Sequence, residues 1–311
     1  MPCLSARIES MGAMNITISG ASGFIGRRLL QVLAEAGHSL DVLSRNAGTK
    51  LPAGVRLSVW DAMQGLPPRE SLENADAIIH LAGEPVAQRW TPEVKRRIRE
   101  SRVGGTHRLV EMLSTLPRRP SVLVCASATG YYGSRADEFL DESSRPGTGF
   151  LAEVCVSWEQ EAQAARALNM RVVVIRIGLA LDPRGGALTR MLPPFRLGVG
   201  GRLGSGRQWM SWIHLADLVE LFRLAVEKPL GGPLNGVAPV PVPNAEFTRE
   251  LARALHRPAI LPAPPFMLRA VLGEMAGVLL DSQRVVPRAA EAAGFRFRFP
   301  QLGPALADLL R

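Results

Sequence analysis

The chain has 311 residues, 47% of them hydrophobic, enough for a sizeable core and, at about 150 residues per domain, for about two domains. A net charge of +9 comes from arginines spread along the whole chain, which excludes the concentrated basic face that nucleic-acid binding needs. Lysine is almost missing: Lys50, Lys95 and Lys228 are the only ones, and the adjacent Tyr131 and Tyr132 are the only tyrosines, so chemistry that needs Tyr and Lys at fixed spacing is nearly excluded.

Residues 1–13 lack the apolar run of a secretory signal and read as a flexible extension or a misassigned start. Asn15 to Ser19 is strand-like, and Phe24 to Ala36 repeats apolar residues at helical spacing up to Gly37. Ser39 to Ser44, Val55 to Trp60 and Ala75 to Leu81 read as three further strands, the last nearly continuous in apolar residues, as buried parallel strands are. Helical segments at 92–116 and 150–168 separate the strands at 121–126 and 171–177. This alternation predicts an α/β fold, a Rossmann-type doubly wound parallel sheet over residues 14–180. Residues 181–311 read as a smaller C-terminal α/β region on the substrate side, its chain crossing back to the sheet near 209–240. Gly- and Pro-rich stretches at 182–206 read as loops, 245–256 and 265–280 as helices, and Phe295, Phe297 and Phe299 alternating with arginines as a half-buried strand.

The apolar stretch 259–280 is broken by Pro262, Pro264, Pro265, Arg269 and Glu274, so no membrane span is expected. Cys3, Cys125 and Cys155 are odd in number and far apart, which fits a reducing, cytoplasmic setting without disulfides. No His, Cys or carboxylate cluster has metal-ligand spacing, so no metal site is expected.

Gly20-Ala21-Ser22-Gly23-Phe24-Ile25-Gly26 joins the first strand to the first helix. A pyrophosphate there needs a tight turn, close backbone approach and a helix N-terminus facing the negative charge, which glycines permit. At the end of the second strand an acid would hold a ribose 2′-hydroxyl, whereas an arginine accepts a 2′-phosphate. Ser44-Arg45 stands there, so NADP(H) is the expected cofactor. Asp61 follows the third strand, either toward the adenine amino group or as a turn or cap acid. His80, Leu81 and Ala82 close the fourth strand beside the cofactor.

These motifs, with Arg89-Trp90-Thr91, Ser127-Ala128-Thr129-Gly130-Tyr131-Tyr132-Gly133, Trp158-Glu159 and Gln208 to His214 followed by Asp217, resemble an extended, atypical branch of the short-chain dehydrogenase/reductase superfamily. That branch holds NAD-dependent epimerase family proteins, related to nucleotide-sugar epimerases, with a C-terminal domain of unknown function. The resemblance covers nearly everything after Met14. It implies a cofactor site built from Gly20, Gly23, Phe24, Ile25, Gly26, Ser44, Arg45, His80 and Leu81, joined by Arg102 from a helix that is otherwise basic and solvated.

The superfamily's usual Tyr-x-x-x-Lys pair would fall on Leu151 and Cys155. A phenol titrates near 10 and is a poor base at neutral pH without a neighbouring cation, so the substitution removes the usual acid/base. The catalytic candidates left are Ser127, assisted by Thr129, and Tyr131 or Tyr132. Two functions follow. One is an NADP(H)-dependent oxidoreductase or epimerase-like enzyme acting on a small carbonyl, hydroxyl or nucleotide-sugar-like substrate as a monomer or homodimer. The other is a non-catalytic NADP(H)-sensing protein.

Overall fold

A computed structural model describes residues 12–311; apart from Gly12 and Ala13, the expected extension lies outside the described residues. The strands are β1 (Asn15–Ser19), β2 (Ser39–Ser44), β3 (Arg56–Val59), β4 (Ala77–His80), β5 (Val122–Ala128), β6 (Phe139–Leu140), β7 (Arg171–Ile177), β8 (Leu179–Asp182), β9 (Trp209–Met210), β10 (Trp212–His214), β11 (Gly232–Gly236), β12 (Val242–Pro243) and β13 (Arg284–Val285). Seven form one parallel sheet in the order β11-β7-β5-β4-β1-β2-β3. Ser19 pairs with both Leu43 and His80, so β1, β2 and β4 end at one level.

The order reverses at β1: the chain runs toward β2 and β3, then returns to add β4 on the other side. Right-handed crossovers in opposite directions put the connecting helices on opposite faces and open a crevice at the carboxyl ends of β1 and β4. Helix α1 (Phe24–Glu35) buries Gly26, Leu29, Leu30 and Leu33 against the sheet, an i, i+3, i+4, i+7 stripe. On the other face lie α2 (Pro92–Arg99), α3 (Gly105–Ser114) and α4 (Phe150–Gln163). Residues 92–114 form one helix interrupted by a π-helical segment, Glu100–Gly104, which carries Ser101 and Arg102. Thr91 caps it, its hydroxyl accepting from the Val94 amide at 3.2 Å.

The sheet core continues into the second half of the chain. Helix α6 (Leu215–Glu227), which follows α5 (Gly186–Arg196), packs on α1 and leads into the edge strand β11. A second apolar cluster joins α5, α7 (Asn244–Leu255) and the helix Leu302–Leu309 around Trp212, Phe195, Phe247 and Phe299.

Two expectations fail here. No strand forms at 295–299: the Arg298 and Phe299 amides donate to the Asp217 carboxylate, each at 2.9 Å, where a strand would spend them on a neighbour. The stretch around Leu192-Pro193-Pro194-Phe195 is helix, not loop. Leu188, Leu192 and Phe195 fall on one buried face, while both prolines lie on the exposed face, where carbonyls they leave unbonded meet water.

Candidate functional site

The glycine loop is closed to side chains. Gly20 has φ +72°, and a Cβ there would stand 2.7 Å from the Leu81 carbonyl carbon and 2.8 Å from the Ala82 nitrogen. A Cβ on Gly26 would stand 2.5 Å from the Ala21 Cα, so this glycine sets how tightly α1 packs on the loop. Gly23 is the N-cap of α1; no side chain caps the helix and its first turn has no acidic residue, leaving amides and the positive dipole end to an anion. This backbone cradle suits a dinucleotide pyrophosphate. The Phe24 ring packs against Gly185 and Gly186, where a Cβ on Gly185 would stand 2.4 Å from it, so the C-terminal half braces the loop. Ile25 packs against the sheet core.

Toward β2, Ser44 is buried and its hydroxyl pairs with that of Thr49 at 2.8 Å, fixing the turn that presents exposed Arg45. Arg45 lines a cleft of roughly 420 Å³ with Met63, Gln64, Arg96, Arg97 and Glu100. Asp61 accepts the Met63 amide at 3.0 Å, so one of its oxygens closes a turn. Sequence reasoning missed Arg96 and Arg97 at this cleft, because only the fold brings α2 across to Arg45.

At β4, Leu81 and Ala82 form the backbone wall facing Gly20. His80, expected beside the cofactor, is buried: it is 0% exposed and its Nδ1 pairs with the Ser19 hydroxyl at 2.6 Å. That hydroxyl also accepts the Ala82 amide at 3.3 Å, so His80 supports the wall from behind. Burial lowers its pKa to about 4 and keeps it neutral. Arg102 lies against Gly83, donating to the Glu84 carbonyl at 2.9 Å and the Ile98 carbonyl at 3.3 Å.

At β5 the expected catalytic set divides. The Ser127 hydroxyl donates to Glu159 Oε1 at 2.7 Å and is spent there. Arg176 grips the same carboxylate with Nε at 2.9 Å and Nη2 at 2.8 Å, in a nearly dry setting. Its Nη1 donates to the Tyr132 hydroxyl at 2.9 Å, which donates to Asn235 Oδ1 at 2.7 Å. Tyr132 is 0% exposed, and burial drives its pKa up to about 12 against the opposing pull of Arg176. Ser127, expected to donate to a substrate oxygen, and Tyr132, expected as an acid/base, are both members of this buried network, their hydroxyl protons engaged within it. Tyr131 is half-buried, its ring covered by the Arg176 guanidinium at 3.5 Å and edge-on to Tyr132 at 5.3 Å. Trp158-Glu159 and the lone charge inside apolar Arg171 to Ile177 were the signals for the Glu159–Arg176 pair, though neither names its partner.

Leu151 and Cys155 face this strand end from α4. A Cβ on Gly130 would stand 3.3 Å from the Leu151 Cβ and 3.9 Å from the Cys155 sulfur. Burial raises the Cys155 thiol to about 11, which removes it as a nucleophile. His214 caps α6, its Nδ1 accepting the Ala216 amide at 3.0 Å. Among the described residues no group of three His, Cys, Asp or Glu is placed to hold a metal, and no helix is long and apolar enough to cross a membrane.

The profile of the NAD dependent epimerase/dehydratase family matches residues 16–238, and a domain of unknown function, DUF1731, matches 263–309. The Epimerase family protein SDR39U1 homolog, chloroplastic, of Arabidopsis thaliana is 41% identical over 100% of this chain and 90% of its own. The Epimerase family protein YfhF of Bacillus subtilis is 37% identical over 96% of this chain and 98% of its own. The crystal structure of human epimerase family protein SDR39U1 (isoform 2), solved with NADPH, superimposes with a TM-score of 0.85 at 35% identity, covering 96% of this chain and 99% of that one. A Rossmann-like sheet, a glycine cradle at its switch point and these matches along nearly the whole chain agree: this protein belongs to the NAD dependent epimerase/dehydratase family.

Proposed function

We propose that the chain is an NADP(H)-dependent oxidoreductase or epimerase acting on a small carbonyl, hydroxyl or nucleotide-sugar-like substrate. The observation that carries the cofactor reading is the cradle of Gly20, Gly23 and Gly26 at an uncapped helix N-terminus, with Arg45 at the neighbouring strand end. The NADPH held by the human relative supports the choice of cofactor. Loop amides and the α1 dipole hold the pyrophosphate, and Arg45 takes the 2′-phosphate as a charge-assisted donor. Leu81 and Ala82 wall the crevice, and Asp61 stands on the adenine side. The bound cofactor supplies or accepts the hydride.

Tyr131 is the remaining candidate to orient the reacting oxygen, its ring fixed by Arg176. Gly185-Gly186, packed on Phe24, and the Gly-rich segment 197–206 after α5 close the substrate side of residues 181–311 over the sheet half, residues 14–180. The setting is cytoplasmic by this reading, consistent with two buried free thiols, Cys125 and Cys155. A second reading, cofactor sensing without turnover, is favoured by Leu151 and Cys155 at the usual Tyr and Lys positions. NADPH oxidation against a panel of carbonyls and nucleotide sugars separates the two. Turnover that falls in Tyr131→Phe supports the enzyme; NADPH binding with no turnover on any panel member supports the sensor.

A further inference from the structure

The glycine loop stands at β1, with Arg45 on the β2 side of it. β4 is the next strand on the other side of β1, so its end lies two strand spacings, about 10 Å, from the end of β2 beside Arg45. A dinucleotide pyrophosphate seated at β1 with its phosphorylated ribose toward Arg45 must run its second ribose toward β4 and β5. Arg102 is there. The π-helical segment Glu100–Gly104 brings it in, and Gly83 leaves it room: a Cβ on Gly83 would stand 3.0 Å from its Cζ and 3.2 and 3.3 Å from its two terminal nitrogens.

The guanidinium is positioned but not used up. Its Nη1 donates to the Glu84 and Ile98 carbonyls, and its Cζ sits 5.2 Å from the centroid of the Trp158 ring. Among the described residues, Nε and Nη2 have no hydrogen-bond partner. Trp158 belongs to α4, the helix that carries Leu151 and Cys155 one turn apart on one face. The Arg102 charge reaches Cys155, where it opposes the burial that raises the thiol.

We propose that Arg102 replaces, from a different helix, the cation absent at position 155, and that its free donors hold the hydroxyls of the nicotinamide-side ribose. The proposal rests on the NADP(H) reading above. Arginine suits the role because it stays charged when half-buried and presents a planar fork to paired oxygens.

Two probes separate this role from a structural one: NADPH, and adenosine 2′,5′-bisphosphate, which has the Arg45 half without the second ribose. By calorimetry, Arg102→Ala is expected to weaken NADPH by about tenfold or more while leaving the bisphosphate within about twofold. Adding Cys155→Lys to Arg102→Ala returns the cation from α4 and is expected to restore NADPH to within about threefold of wild type. Should Arg102→Ala fail to fold, Arg102→Gln keeps a donor to the Glu84 carbonyl without the charge and serves the same comparison. Unchanged NADPH affinity, an equal loss for both probes, or a double variant no tighter than Arg102→Ala would each overturn the proposal. A wild-type protein that binds neither probe would overturn the cofactor reading, and the role of Arg102 with it.

Discussion

Replacing Arg176 by methionine removes the centre of the buried network at β5. The Arg176 side chain is 4% exposed and that of Glu159 12%, so the pair has little water to fall back on. The substitution strips Glu159 of both guanidinium donors and leaves it the Ser127 hydroxyl alone; it also removes the donor to the Tyr132 hydroxyl. Breaking a buried pair by deleting one partner costs about 3–5 kcal/mol, because a charge remains that is neither solvated nor paired. At about 2–4 °C per kcal/mol for a large domain, Arg176→Met should melt about 6–20 °C below wild type. The double variant Arg176→Met, Glu159→Leu leaves no buried charge and should recover much of the loss, so that a double-mutant cycle shows strong coupling. Thermal melts and urea unfolding of the four proteins measure it. A single-variant loss under about 1 kcal/mol, or additive effects in the cycle, would refute the claim that the pair is a buried structural unit.

His80 makes stability depend on pH. Its folded pKa of about 4 lies below the usual 6.5, so the unfolded chain takes up a proton the folded protein refuses. This contribution is complete above about pH 6.5 and is lost as pH falls toward about 4, amounting to about 3 kcal/mol across the window. Urea unfolding at pH 7 and pH 5 should show His80→Asn losing about 2 kcal/mol less than wild type; equal losses would contradict it. The Cys125 and Cys155 thiols, both buried and shifted upward by burial, should resist Ellman's reagent at pH 8 in the native protein and react only on unfolding. Rapid native labelling of Cys155 would show the α4 site to be open, and of Cys125 the sheet core at β5.

The β1-loop-α1-β2 unit was legible because its signals are local: alternating apolar period, a glycine spacing that only a tight turn requires, and Ser44-Arg45 at a strand end. The strand reading of Phe295 to Phe299 failed because pattern alone does not say who receives the backbone amides, and the Asp217 carboxylate takes two of them from far away in sequence. Prolines misled at α5 since their cost depends on which face meets water. The wider site is assembled across the sheet. Ser127, Tyr132, Glu159, Arg176 and Asn235 come from β5, the turn after it, α4, β7 and β11, so a serine and a tyrosine that look catalytic in sequence prove to be spent on one another's neighbours. His80 shows the same limit: a strand-end histidine looks available until its ring is seen behind the strand.

Calorimetric titration of the wild-type protein with NADPH and with NADH bears most directly on the cofactor site. With Arg45 lining the cleft and free to receive a 2′-phosphate, NADPH should bind about tenfold or more tightly than NADH. Equal affinities for the two would contradict the site described here.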